Sequence, residues 1–327
     1  MHKQYNSVYA RHIEQYIEMK RNLGFKFITA PHILLQFDRL AEKTGITSKG
    51  IPRELALKWC NRKPNESSIF WYTRAQVVAM FSAFLRDVGI KSFVFKLPPY
   101  PGTTFTPYIY SQKEIKTIFK AADSLTVQKR YMNSSIFSIP AILRFLYATG
   151  IRIGEALDLN EDDIKMDEKY LRVKDSKNGK QRIIPISDSL INVLKQYQKH
   201  RQRLPLVKKS KYFFVKVDGR KCSHLSVTKW FKACLIKADV RCETRNHLPR
   251  IHDLRHTFAV TSLASMADAG IDLYASLPIL STYLGHQSLE STNHYVRLTA
   301  NMYPDLIKDV DVICLDVFPK IKNYEAN

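Results

Sequence analysis

The residues best suited to covalent chemistry lie in the last fifth of this 327-residue chain. They read His252-Asp253-Leu254-Arg255-His256-Thr257, then Leu284-Gly285-His286, then Thr292-Asn293-His294-Tyr295. Upstream, Thr149-Gly150-Ile151-Arg152-Ile153-Gly154-Glu155 places an arginine just after a helix stop, and Lys177 sits in the polar stretch Asp175-Ser176-Lys177-Asn178-Gly179-Lys180. Breaking and remaking a phosphodiester without a metal needs a nucleophile, a clamp for the doubly charged phosphorane, a proton acceptor and a proton donor. Guanidinium forks suit the non-bridging phosphate oxygens, which makes Arg152 and Arg255 the clamp candidates. Lys177 on a flexible tip suits the departing 5′-oxygen. His252 and His286 suit hydrogen bonding to phosphate or proton shuttling near neutral pH. A tyrosine such as Tyr295 suits the nucleophile.

Taken one at a time these residues have plainer readings. Arg152 suits an ion pair with Glu155 or Asp158, and Lys177 and Lys180 are ordinary hairpin-tip residues. His252 and His256, at i and i+4, have the spacing of a zinc pair or suit a helix cap, but no glutamate follows the first of them as a zinc peptidase requires. Tyr283 and Tyr303 compete with Tyr295 for any nucleophilic role.

The joint pattern is more specific, and it resembles the tyrosine recombinase (phage integrase) family. That family shows an arginine in a TGxRxxE-like turn, a hairpin lysine, an HxLRHT box, an LGH tripeptide and a tyrosine nine residues beyond its histidine. Here the same roles fall in order on Arg152, Lys177, His252 and Arg255, His286 and Tyr295. The resemblance runs from about Pro107 to Phe318, and less distinctly over the N-terminal helices. It implies site-specific recombination in which Tyr295 attacks the scissile phosphate and holds the DNA 3′-end covalently, with Lys177 as general acid and no cofactor or metal. It further implies double-stranded DNA recombination sites as partner and a homotetramer on paired sites, a monomer off DNA and accessory proteins being compatible with it. A SAM-like core-type DNA-binding domain would precede the catalytic domain, and the C-terminal segment, Tyr303 to Ile321, would dock on a neighbouring protomer or on its own domain. A two-domain enzyme of the kind found among Xer proteins, integron integrases or transposon-encoded integrases fits. Two other readings share the residues: a type IB topoisomerase-like nicking and closing enzyme, and a catalytically silent DNA-binding protein on the same scaffold.

The elements that must position these groups are mainly helical, with one small antiparallel sheet. Lys96 to Pro107 holds four prolines and a glycine, which favours an extended connector. It divides the chain into an N-terminal helical bundle at residues 1–97, a linker at 98–107 and an α+β catalytic domain at 108–327. Before the linker, apolar spacing predicts helices over Val8–Leu23, Ala30–Thr44, Pro52–Cys60 and Ser68–Val88. Ile13, Tyr16, Ile17 and Leu23 share one side of the first. Arg21, Lys26, Arg74 and Arg86 fall on the polar faces as candidate DNA contacts. After the linker come helices at Ser111–Ala122, Ile136–Ala148 and Arg152–Leu159, then strands at Tyr170–Val173 and Gln181–Ile186 flanking the hairpin tip. Helices follow at Ser187–Gln202, Ser226–Ala238, Asp253–Asp268 and Ile279–Leu284.

Composition agrees with a polyanion as partner. The net charge is +21, with 51 Lys and Arg against 30 Asp and Glu, and it is divided +9 up to Thr106 and +12 beyond. Charge on both halves suits a clamp, with counterion release contributing to affinity. No apolar run approaches a membrane span, and no secretory leader is visible, so a cytoplasmic, nucleoid-associated protein of a prokaryotic host is expected. The five cysteines form no CxxC pair, and a zinc site from Cys242 with His247 or His252 has poor spacing.

Overall fold

A computed structural model describes residues 4–102, 106–127, 133–174, 181–204, 210–241, 248–286, 292 and 295. Lys177, Cys242, His247 and residues 303–321 lie outside them. The chain divides into two compact units, Met1–Phe105 and Thr106–Asn327.

The first unit is built from α1 (Ala10–Asn22), α2 (Ala30–Lys43), α3 (Arg53–Cys60) and α4 (Ser68–Asp87). Each carries an apolar stripe at helical spacing. Ile13, Tyr16, Ile17, Ile33, Leu34, Phe37, Leu55, Trp59, Val78, Phe81 and Leu85 interlock as one core. Leu23 does not join them: it is 64% exposed, because α1 ends at Asn22 and the chain turns through Gly24.

Arg74 requires a larger correction. It is fully buried, not on a polar face. Its Nε and Nη2 donate to the two carboxylate oxygens of Glu66 at 2.7 and 2.9 Å, Nη2 also donates to Asn61 O, and Nη1 donates to Trp59 O. The guanidinium lies 4.7 Å from the Trp59 ring centroid. With the charge so completely partnered, burial is tolerable. Arg74 precedes Val78, Phe81 and Leu85 at i, i+4, i+7 and i+11, so its place on the apolar stripe follows from its position. Arg21, Lys26 and Arg86 are exposed.

The second unit centres on α6 (Ile139–Thr149), which continues a 3-10 turn at Ile136–Ser138. Around it lie α5 (Gln112–Asp123), α8 (Asp188–Arg201), α9 (His224–Lys237) and α10 (Asp253–Asp268), with α11 (Leu273–Leu284) against α10. Ile139, Ile142, Leu143, Phe145 and Leu146 of α6 are all buried in the shared core. Short α7 (Ile153–Asp158) follows α6. Strands β1 (Ile164–Lys165), β2 (Tyr170–Val173) and β3 (Arg182–Pro185) form an antiparallel sheet in that order, with Val173 opposite Arg182. The architecture is therefore mainly α with a small antiparallel sheet, as the sequence predicts. β1 is too short to have been readable. α11 starts six residues before the predicted Ile279, because Asp272 caps it by accepting from Ala275 N–H at 2.9 Å and Pro278 is carried inside the helix. No described helix is long and apolar enough to cross a membrane.

Candidate active site

The site begins where α6 stops. Gly150 takes a left-handed conformation (φ 59°), and a Cβ there would lie 2.3 Å from the Phe258 ring. Only glycine permits both the turn and the close approach to α10. The turn delivers Arg152 to the start of α7. One turn on, Glu155 accepts from the Arg152 backbone N–H at 3.0 Å and from its guanidinium at 2.9 Å. Glu155 also accepts from Arg182 of β3 at 2.7 and 3.2 Å. Burial pushes the Glu155 carboxyl up, but Arg182 and Arg152 more than offset this and hold it below the usual carboxylate range. The Arg152–Glu155 ion pair of the plainer reading thus exists and is part of the site, whereas Asp158 pairs with Lys221.

α10 supplies the next groups. His252, Arg255 and His256, at i, i+3 and i+4, share one face. The intervening residues are structural. Leu254 is in the core, Asp253 accepts from Arg250 N–H at 2.8 Å, and Thr257 accepts from Tyr110 N–H at 3.0 Å while donating to Asp253 O. The HxLRHT box therefore divides into residues that seat the helix and residues it presents.

The C-terminal end of α11 gathers the arginines. Its last turns leave backbone carbonyls without intrahelical partners, at the negative end of the helix dipole. Arg182 Nε donates to Tyr283 O at 2.8 Å, Arg255 Nη2 to Leu284 O at 2.9 Å and Arg152 Nη2 to Gly285 O at 3.0 Å. Arg255 Nη1 also donates to Gly150 O at 2.9 Å. Gly285 is left-handed (φ 67°), and a Cβ on it would stand 2.9 Å from the Arg182 guanidinium. The Leu284-Gly285-His286 tripeptide thus does more than present a histidine: its main chain holds two candidate clamp arginines. Burial, then the nearby Arg152, lowers the Arg255 guanidinium to about 10. A phosphate anion placed there would relieve that crowding of positive charge.

Tyr295 is buried among these groups. Its hydroxyl lies 2.9 Å from His256 Nδ1, and its ring stacks on His286 with centroids 5.9 Å apart and planes 16° apart. His286 is oriented by Thr292, whose hydroxyl lies 2.7 Å from its Nδ1. Burial raises the Tyr295 phenol, and the adjacent Arg255 acts against that rise. Tyr283, the competitor, stacks on Phe258 and is pushed up to about 12 by burial.

His252 and His286 are both lowered to about 4, by burial first and then by Arg255. Each binds a proton less tightly in the folded chain than in the unfolded one, where the value is 6.5. Their contribution to stability is therefore complete above pH 6.5, is lost as the pH falls from 6.5 towards 4, and levels off below. We expect the thermal midpoint of the DNA-free protein to drop across that window, and to drop less in His286→Asn. Parallel curves for the two proteins would contradict the assignment.

The structure brings together five of the six predicted groups: Arg152, His252, Arg255, His286 and Tyr295. Lys177 lies outside the described residues. Sequence reasoning missed Glu155 as the anion that organises two arginines. It also missed Arg182, which shares the core-facing side of β3 with buried Ile184. It reads His256 as a zinc ligand or a helix cap and gives it no part in the chemistry, although its ring packs edge-on against His252, 4.9 Å between centroids, and its Nδ1 faces Tyr295. Among the described residues, no three His, Cys, Asp or Glu side chains gather as metal ligands.

Residues 109–302 match the phage integrase family. The chain belongs to that family. It is accordingly an enzyme, a site-specific recombinase of the tyrosine class. A Sinorhizobium fredii protein, y4rB, whose name assigns it to the integrases/recombinases, is 31% identical over 93% of this chain and 96% of its own length. Tyrosine recombinase XerA of Pyrococcus horikoshii is 28% identical over 72% of this chain and 73% of its own. Among solved structures, the Tn1549 transposon integrase in complex with transposon right-end DNA shares the fold with a TM-score of 0.62 at 15% identity, over 93% of this chain and 99% of that one. XerH recombinase bound to a palindromic difH substrate gives 0.61 at 18%, over 92% and 84%.

Proposed function

We propose that this recombinase cuts one DNA strand by attack of the Tyr295 hydroxyl on the scissile phosphate, leaving a 3′-phosphotyrosyl bond and a free 5′-hydroxyl. The observation that carries the reading is the convergence of Tyr295 with Arg255, Arg152, His252 and His286 at the glycine-ended terminus of α11. Arg152 and Arg255 clamp the non-bridging oxygens, His252 and His286 complete the ring of donors, and Lys177 protonates the leaving oxygen. The phosphotyrosine conserves the bond energy, so rejoining needs no ATP and no cofactor. Relatives solved as a dimer on a core site and as a tetramer on a Holliday junction support double-stranded DNA as partner and a homotetramer on paired sites. In this reading the N-terminal unit, with exposed Arg21, Lys26 and Arg86, grips the duplex as the second arm of a clamp, and the protein acts in the cytoplasm on chromosomal or mobile-element DNA.

The test starts by selecting, from a random duplex library, sequences that become covalently attached to the full-length chain. A supercoiled plasmid with two copies of a selected site is expected to give deletion circles, and Tyr295→Phe is expected to bind the site but form none. Relaxation of one-site and two-site plasmids alike, with no circles, would instead describe a nicking and closing enzyme.

A further inference from the structure

The cleavage step leaves a proton to be placed. The Tyr295 phenol is buried and its ionisation is made harder by that burial, so attack at neutral pH calls for an acceptor close to its oxygen. Of the three imidazoles among the described residues of the site, two are otherwise arranged. His286 lies flat against the Tyr295 ring and directs its Nδ1 to Thr292. His252 packs against the ring of His256. His256 has its Nδ1 2.9 Å from the Tyr295 hydroxyl, within the reach of a direct proton transfer.

We propose that His256 is the general base of strand cleavage, a role that rests on Tyr295 being the nucleophile. With Nδ1 unprotonated, the phenol hydroxyl donates to it. As the Oη–P bond forms and the P–O5′ bond breaks, the phenolic proton moves to Nδ1, and the 5′-oxygen takes its proton from the general acid. In rejoining, the 5′-hydroxyl attacks and gives its proton back to the general acid, the phenolate leaves, and His256 returns the stored proton to it. Nothing need be exchanged with solvent between the two steps. Arg255, whose charge lies close to the same phenol, stabilises the phenolate at both stages. The edge-on His252 ring holds the His256 ring in its place over the nucleophile. His256 follows Arg255 directly, so one turn of α10 carries both the clamp and the base.

The experiment separates a base from a ring that merely positions the tyrosine. His256→Asn keeps an acceptor near the Nδ1 position but lacks basicity. On a suicide duplex selected as above, it is expected to cleave about 10²- to 10⁴-fold more slowly than wild type under single-turnover conditions. Tyr295 is then replaced by fluorotyrosines of progressively lower phenol pKa in both backgrounds. As the phenol ionises more readily, the acceptor matters less, and the ratio of wild-type to His256→Asn rates is expected to shrink by roughly tenfold or more across the series. A ratio that stays constant across the series, or His256→Asn cleaving like wild type, would overturn the proposal while leaving Tyr295 as nucleophile intact. Failure of the wild type to attach to any library sequence would overturn the reading of Tyr295, and the proposal with it.

Discussion

Lys177→Ala is expected to cleave ordinary DNA about 10²- to 10⁴-fold more slowly than wild type, yet to cleave a 5′-bridging phosphorothiolate at nearly the wild-type rate. A thiolate leaves without being protonated, so only the oxygen substrate exposes loss of the acid. The physical case lies in the strands on either side. Arg182, opposite Val173 at the base of the hairpin, is tied to Glu155 and to Tyr283 O. Lys177 lies five positions before it, a reach of at most about 18 Å. Both strands are thus rooted in the site, and a lysine in the stretch that joins them is expected to follow a leaving oxygen. Equal defects on both substrates would make Lys177 a phosphate binder, and rescue seen in Lys180→Ala instead would move the acid three residues along.

Arg255→Ala is expected to lower cleavage by about 10²- to 10³-fold, the loss typical of removing a donor to the developing charge. It also withdraws the partner of two carbonyls, Gly150 O and Leu284 O. Each buried polar group left without a partner costs about 1–3 kcal/mol, so the DNA-free protein should unfold at a clearly lower temperature. Arg255→Lys separates the two effects. One ammonium cannot reach both carbonyls as a fork and still present a flat pair of donors to phosphate, so stability should recover in part while cleavage stays low. Wild-type cleavage by Arg255→Lys would show that charge alone suffices and would contradict the forked clamp.

Much of this site is legible in the sequence because it is carried by local patterns. Gly150 marks the turn that starts Arg152 on its helix, and the three-and-four spacing of His252, Arg255 and His256 defines one face of α10. The helix spans follow from apolar periodicity, to within a residue or two at most ends. The misses have a common origin. Arg74 and Arg182 both occupy core-facing positions, and charge alone assigns them to solvent; only the tertiary placement of Glu66 and Glu155 makes their burial tolerable. The start of α11 was hidden by Pro278, whose helix is held by packing on α10. The grip of Leu284 and Gly285 on the arginines uses backbone carbonyls, which no residue type announces.

The central claim is that Tyr295 becomes covalently joined to DNA. The most direct measurement is peptide mapping of the adduct formed between the full-length wild-type chain and a selected suicide duplex nicked near its cleavage site. The account predicts a single modified residue, Tyr295, attached to the DNA 3′-end, and no adduct in Tyr295→Phe. An adduct on Tyr283 or Tyr303, or one attached to a 5′-end, would contradict it.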